Sequence, residues 1–214
     1  MFNLASYIDY TLLKPTCTYA DIKKLCQEAI QYEFAAVCVP PFMVSFAREQ
    51  LTGTHLRLAT VVGFPFGYEN ADVKLFETKQ AIDEGADELD IVINLSALKS
   101  GSWNYLEKEM GPLVGISHDY YKLVKVIIET GVLTDDEIIR CCQLYSKLSV
   151  DFLKTSTGYA EKGATLEAVT LIRKNAPASV KIKASGGIRN FDFACQLIEA
   201  GAERIGTSRI LTQA

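Results

Sequence analysis

The segment Asp151-Phe152-Leu153-Lys154-Thr155-Ser156-Thr157-Gly158 is a short apolar run that ends on a lysine and continues into a hydroxyl-rich turn. A second segment, Val180-Lys181-Ile182-Lys183-Ala184-Ser185-Gly186-Gly187, ends on a lysine in the same way 29 residues later. Short apolar runs are typical of parallel strands that are covered on both faces. We therefore predict two strands that carry lysines at equivalent ends.

Two such lysines indicate a particular chemistry. Each amine would lower the pKa of the other, because a neighbouring cation disfavours protonation. A lysine that is neutral near pH 7 attacks carbonyl carbons and forms a Schiff base. Lys154 is thus a candidate nucleophile and Lys183 its partner. Taken alone, an ion pair that neutralises a buried lysine explains Lys154 equally well.

Strand-like and helix-like segments alternate along the whole chain. The candidate strands are residues 8–11, 36–39, 56–62, 88–93, 123–128, 151–154, 180–184 and 204–206. Amphipathic helical segments include residues 19–32, 71–84, 134–147, 165–175 and 191–200. With no linker or low-complexity stretch, this alternation predicts one α/β domain over residues 1–214, a (β/α)8 TIM barrel. An open doubly wound sheet is the alternative, since alternation alone does not show closure.

Capping signals support the helix assignments. Thr18 and Thr134 each precede a helical segment and have acidic residues in the following turn, as N-caps do. Gly85 and Gly201 follow helical segments in similar phrases, where glycine suits a left-handed C-cap.

Composition excludes several classes of partner. The chain has 214 residues, is 49% hydrophobic and carries a net charge of -4, which gives no basic footprint for nucleic acid. No apolar run approaches the roughly 20 residues that span a bilayer, so no membrane association is predicted. The N-terminus lacks the features of a signal peptide, and we therefore predict a cytoplasmic protein.

Metal-site spacing is absent from the sequence. The six cysteines include no CxxC pair and are predicted to be reduced thiols. His55 and His118 stand 63 residues apart, outside any zinc-binding pattern. No metal or cofactor is predicted.

Polar residues gather where the predicted strands end, which is where barrels carry their reacting groups. These positions hold Asp9, Thr11, Cys38, Asp90, Asn94, Lys125, Glu129, Lys154, Lys183, Gly206 and Ser208. Asp90 would relay protons through a water or serve only as a structural ion pair. Lys125 and Glu129, four residues apart on one predicted strand, would face the same side and join this network or form a salt bridge. Cys38 faces the site or belongs to the core.

The last two strand ends predict a phosphate site. Gly186 and Gly187 precede Arg189 and a predicted helix start, and the final strand ends in Gly206-Thr207-Ser208. Glycines let backbone N–H groups approach a phosphate, and a helix N-terminus favours an anion. Phosphate sites in barrels commonly use the loops after strands seven and eight. Ordinary turns are the alternative for any one glycine pair.

Seven phrases of the sequence together carry a resemblance to one known family. They are Ile8-Asp9-Tyr10-Thr11-Leu12-Leu13-Lys14-Pro15, Val37-Cys38-Val39-Pro40, Val62-Gly63-Phe64-Pro65, Glu88-Leu89-Asp90-Ile91-Val92-Ile93-Asn94, Lys125-Val126-Ile127-Ile128-Glu129-Thr130, Phe152-Leu153-Lys154-Thr155-Ser156-Thr157-Gly158 and Lys183-Ala184-Ser185-Gly186-Gly187-Ile188-Arg189. Over nearly its whole length the chain resembles the deoxyribose-phosphate aldolases.

The resemblance implies a metal-independent class I aldolase that cleaves 2-deoxy-D-ribose 5-phosphate to glyceraldehyde 3-phosphate and acetaldehyde. It implies that Lys154 forms the Schiff base, that Lys183 keeps Lys154 nucleophilic and that Asp90 relays protons. Substrate contacts are expected at Asp9, Thr11, Cys38 and Lys125, and phosphate contacts at Gly158, Gly186, Gly187, Arg189, Gly206 and Ser208. A monomer or homodimer is expected.

The chain departs from the family pattern at three places. Tyr159 stands where some members have a lysine, and Arg209 where a small residue is frequent. The tyrosine-ended tail that some members use in proton transfer is not expected after Leu211. Two other functions remain open: an imine-forming aldolase for another phosphorylated substrate, and a non-catalytic barrel that binds phosphometabolites.

Overall fold

Eight parallel strands close into a barrel in the computed structural model, which describes residues 3–211. The strands are β1 (Ile8–Thr11), β2 (Ala36–Val39), β3 (Arg57–Val62), β4 (Glu88–Val92), β5 (Leu123–Ile127), β6 (Phe152–Lys154), β7 (Lys181–Ser185) and β8 (Arg204–Thr207). The last strand pairs with the first, with Asp9 beside Gly206. The predicted single-domain (β/α)8 barrel is confirmed, and the open sheet is excluded. The carboxyl ends of all strands meet at one face.

The helices surround this barrel. They are α1 (Tyr19–Gln31), α2 (Val44–Gln50), α3 (Ala71–Asp83), α4 (Leu95–Lys99), α5 (Trp103–Asp119), α6 (Asp135–Lys147), α7 (Leu166–Asn175) and α8 (Phe191–Glu199). None of those within residues 3–211 is long and apolar enough to cross a bilayer. The expected difference at the C-terminal tail concerns residues 212–214, which lie outside the described residues.

The predicted caps are present. Thr18 and Thr134 each form a capping box, in which the threonine hydroxyl accepts a hydrogen bond from the backbone three residues on. Gly85 and Gly201 have φ values of 102° and 115°, the left-handed conformation that glycine adopts without steric cost. The threonines mark where a helix begins, and the glycines mark where the chain leaves a helix for the next strand.

Side chains alternate along each strand, so that one set faces the helices and the other faces the inside of the barrel. Leu89 and Ile91 face outwards and pack into the apolar core between sheet and helices. Glu88 and Asp90 alternate with them, are fully buried and contact ionised groups of other strands. The inside of the barrel is therefore largely charged, and this charged interior supports the site above it.

Candidate active site

Asp90, on β4, accepts hydrogen bonds from three lysines. Its Oδ2 accepts from Nζ of Lys154 at 2.8 Å and from Nζ of Lys183 at 2.7 Å. Its Oδ1 accepts from Nζ of Lys125 at 2.6 Å. All four side chains are buried, and the most exposed of them, Lys154, exposes 3%. One carboxylate oxygen thus joins the two lysines that the sequence singled out.

Strand register accounts for this convergence. Lys154 pairs with Lys183 across β6 and β7, and Asp90 pairs with Lys125 across β4 and β5. In parallel pairs, residues in register project to the same side of the sheet. All four side chains therefore project into the barrel interior. The β5–β6 pairing offsets the two pairs by two residues, because Lys154 lies beside Ile127 and Lys125 beside Phe152.

A second group of charges lies next to these four. The guanidinium of Arg204 donates to both carboxylate oxygens of Glu88, at 3.2 and 2.9 Å, and to Oδ1 of Asp9 at 2.5 Å. Oδ2 of Asp9 lies 2.5 Å from Nζ of Lys183. Oε2 of Glu88 lies 2.7 Å from Nζ of Lys125. The two groups form one continuous network.

The network shifts the lysine pKa values in opposite directions. Burial is the main cause that lowers the pKa of Lys154; the Asp90 carboxylate opposes this shift, and the ammonium of Lys183 adds to it. Burial acts the same way on Lys183, but the carboxylates of Asp9 and Asp90 outweigh it and raise its pKa above the ordinary value. The predicted mutual lowering is therefore wrong for Lys183, because its two carboxylates keep it charged.

Asp90 is held in its ionised form. Burial by itself raises the pKa of this carboxyl, but Lys125, Lys154 and Lys183 together hold it well below its usual range. A carboxylate with three ammonium neighbours is a weak base on its own. It becomes a stronger proton acceptor when one of these amines is neutral.

A cavity of about 400 Å³ opens above Lys154 at the carboxyl ends of β1, β6, β7 and β8. Its walls include the six residues of the predicted phosphate site, Gly158, Gly186, Gly187, Arg189, Gly206 and Ser208. The other cationic residues that line it are Lys14 and Arg209, and none of its described lining residues is acidic. The cavity therefore favours a small anion.

The predicted substrate contacts divide into two groups. Thr11 lines the cavity, whereas Asp9, Cys38 and Lys125 are fully buried and are not among its lining residues. Burial, with a smaller contribution from Asp90, raises the pKa of the Cys38 thiol to about 11. Cys38 packs with Ala59 and Val61 in a small apolar cluster.

Glu129 does not join the network as the sequence predicted. Strand β5 ends at Ile127, and Glu129 has φ 55°, so the strand periodicity that would align it with Lys125 is broken. Its carboxylate accepts instead from the backbone N–H of Thr157 at 3.2 Å and from the hydroxyl of that residue. Asn94, also expected at the site, caps α4 by accepting from the Ala97 N–H. Both residues shape loops.

The hydroxyl-rich turn after β6 is bonded to the loop after β7. Ser185 Oγ donates to the Ser156 carbonyl at 2.6 Å, and the Ser185 N–H donates to Thr155 Oγ1 at 3.1 Å. Gly163 packs so closely that a Cβ there would lie 2.2 Å from the Gly186 carbonyl oxygen. These contacts hold Gly186 and Gly187, both with positive φ, at the cavity wall.

Tyr159, noted above as a departure, forms part of the cavity wall. Its hydroxyl donates to the Leu13 carbonyl at 2.8 Å, and its ring packs edge-to-face on Phe64 with centroids 5.4 Å apart. It thereby connects the loops after β1, β3 and β6.

The sequence analysis assigned no role to Glu88 or Arg204. Glu88 and Asp90, at alternate positions of one strand, were nevertheless a signal that both side chains point inwards.

A closed parallel barrel with an ionised interior and a cavity at the carboxyl ends of its strands defines a (β/α)8-barrel enzyme. The model of the DeoC/LacD aldolase family matches residues 4–209, and the chain belongs to this family. It is 48% identical to a deoxyribose-phosphate aldolase of Caldicellulosiruptor saccharolyticus, over 96% of this chain and 94% of that protein. It is 49% identical to one of Thermococcus gammatolerans, over 96% and 92%.

A solved structure gives the same fold. The deoxyribose phosphate aldolase of Aeropyrum pernix superposes with a TM-score of 0.87 at 34% identity, over 96% of this chain and 86% of that one. That protein is described as a tetramer. The homodimer expected for the present chain stays a prediction.

Proposed function

We propose that the protein cleaves 2-deoxy-D-ribose 5-phosphate reversibly to D-glyceraldehyde 3-phosphate and acetaldehyde, through a Schiff base on Lys154. The observation that carries this proposal is the single oxygen of Asp90 that contacts both Lys154 and Lys183 beneath a cationic cavity. The substrate class comes from the relatives, which are named deoxyribose-phosphate aldolases.

The chemistry begins at the aldehyde of the open-chain sugar. The neutral amine of Lys154 adds to C1, and loss of water gives an imine, whose protonated form accepts electrons. Removal of the proton from the 3-hydroxyl breaks the C2–C3 bond and releases glyceraldehyde 3-phosphate. The electron pair moves into the imine as an enamine. Protonation of the enamine carbon and hydrolysis then release acetaldehyde and restore Lys154.

Asp90 and Lys183 handle the protons in this scheme. Asp90 with a water takes the proton of the 3-hydroxyl, and the Lys183 ammonium supplies protons to the carbinolamine and the enamine. Lys183 suits a donor role because its two carboxylates keep it charged. Asp9 and Lys125 act from below by fixing Lys183 and Asp90, and Cys38 packs beside them. Thr11, on the cavity wall, contacts a substrate hydroxyl.

The phosphate occupies the opposite part of the cavity. Backbone N–H groups of the loops after β6, β7 and β8 surround it, and Arg189 and Ser208 add side-chain donors. The bound phosphate holds C1 over Lys154, so that the free energy of phosphate binding orients the reacting carbon. Unphosphorylated deoxyribose is accordingly expected to react with a much lower kcat/KM.

Borohydride trapping tests the proposal. The wild-type protein incubated with acetaldehyde and borohydride is expected to gain one ethyl group, located by peptide mass spectrometry on Lys154. Lys154→Met is expected to lose both this adduct and acetaldehyde release from deoxyribose 5-phosphate. Lys14→Met, which removes another lysine of the same cavity, is the matched control and keeps the adduct. Failure of the wild-type protein to release acetaldehyde would refute the proposal.

A further inference from the structure

The ionised groups inside the barrel are unequal in number. Three carboxylates and four basic groups contact one another there: Asp9, Glu88 and Asp90 against Lys125, Lys154, Lys183 and Arg204. The most exposed side chain among the seven is Arg204, at 11%. The remaining strands contribute the neutral thiol of Cys38 from β2 and the half-exposed Arg57 of β3, 3.7 Å from Glu88.

A buried net charge is costly, so three carboxylates retain three cations. Arg204 stays protonated, because guanidinium does not lose its proton in proteins. Lys183 contacts Asp9 and Asp90, and Lys125 contacts Glu88 and Asp90. Among the described carboxylates, Lys154 forms an ion pair only with Asp90, which the other two lysines share. Glu129, after β5, also acts on Lys154 electrostatically, but its carboxylate accepts from Thr157 and burial raises its pKa. Lys154 is therefore the fourth base of a barrel interior with three described carboxylates.

This count gives a role to two residues that do not line the cavity. We propose that Glu88 and Arg204 are positioning residues that set the protonation state of Lys154 by fixing the number of buried charges. Arg204 contacts two of the three carboxylates and so leaves too little negative charge to retain a proton on Lys154. The inference rests on the proposed Schiff-base function of Lys154.

Variants that change the number of buried charges test this role. The measured quantity is the yield of the borohydride-trapped acetaldehyde adduct as a function of pH. Arg204→Met removes one cation, so Lys154 retains its proton and the acid limb of the profile moves to higher pH, by about one unit. Glu88→Gln removes one anion and moves the limb to lower pH by a similar amount. The double variant Glu88→Gln/Arg204→Met restores the balance and returns the limb to its wild-type position. Arg204→Lys keeps the charge and the wild-type limb.

The outcomes separate this role from a structural one. A structural role predicts less folded protein or a smaller yield of adduct, with the midpoint unmoved in every variant, and that result overturns the inference. If Arg204→Met does not fold, Glu88→Gln decides alone: a lower midpoint supports the inference and an unmoved one overturns it. Absence of an adduct in the wild-type protein points instead to failure of the proposed function.

Discussion

Lys183 differs from Lys154 by one carboxylate, and that difference decides which amine stays charged. Lys183→Met would remove a cation beside Lys154 and leave Asp90 with one ammonium fewer. Both changes favour the protonated form of Lys154, so its pKa rises. We expect kcat/KM at pH 7 to fall at least about tenfold, since each pKa unit changes the neutral fraction about tenfold. The pH profile of kcat/KM measures this.

The matched control is Lys122→Met, since Lys122 lies outside the barrel with its amine 3.8 Å from Asp87. It is expected to leave the profile unchanged. A Lys183→Met variant with lowered kcat and an unmoved acid limb would contradict the electrostatic part of the role and leave only proton donation.

Single residues of the site were predictable where a charged residue lies within an otherwise apolar strand. Lys154, Lys183 and Asp90 interrupt apolar strands, and a buried charge needs a compensating partner. The raised pKa of Lys183 was not predictable, because it depends on Asp9, a residue of another strand that contacts Lys183 but not Lys154. Sequence spacing does not reveal such contacts between distant strands.

At the scale of elements, the loops after β6 and β7 act as one unit. Gly163→Ala would place a methyl group 2.2 Å from the Gly186 carbonyl oxygen, so the phosphate-side loop must move. We expect the KM for deoxyribose 5-phosphate to rise about tenfold, a loss comparable to one charge-assisted hydrogen bond. Adduct formation with acetaldehyde, which has no phosphate, should be nearly unchanged. Steady-state kinetics and trapping measure the two effects separately.

Gly115→Ala is the control for this substitution, because a Cβ on that helix position meets open space. It is expected to stabilise α5 by roughly 0.5–1 kcal/mol and to leave KM unchanged. Equal effects of Gly163→Ala on KM and on acetaldehyde trapping would show that the displaced loop also carries Lys154 with it.

Most elements were predictable because local signals and tertiary packing agreed. The named strands and helices begin and end within one residue of their predicted positions. Helices α2, α4 and α5 were not named. In α5, Gly111, Pro112 and Gly115 lie in the helix interior, where such residues normally disfavour helix. Packing of Leu106, Met110 and Leu113 against the core outweighs that local preference.

At the scale of the molecule, net charge and local charge have opposite signs. The chain carries a net charge of -4, whereas Lys14, Arg189 and Arg209 line the cavity. Composition excluded nucleic-acid partners but said nothing of this local field, because the three residues come from different loops. A cationic cleft in an acidic surface attracts small anions to one place. Buried charges of opposite sign also affect the stability of the fold towards acid.

Acid stability should depend strongly on the buried aspartates. Burial alone would raise the pKa of Asp9 and of Asp90, but the surrounding cations hold both below the unfolded value of about 3.9. Their stabilising contribution is therefore fully present above that pH and is lost as pH falls towards the folded-state values. Burial raises the pKa of Glu109 and Glu129, whose contribution has the opposite sign and is lost as pH rises above about 4.3.

Below about pH 4 the aspartates dominate, and the free energy of unfolding should fall by up to about 1.4 kcal/mol per pH unit for each of them. The double variant Asp9→Asn/Arg204→Met removes one buried charge of each sign and so keeps the balance of the barrel. We expect its slope to be smaller than that of the wild-type protein, by about half a proton at pH 4 and by nearly one proton at pH 3. Urea unfolding between about pH 4 and pH 3 measures both slopes. Equal slopes would mean that Asp9 is already protonated in the folded wild-type protein.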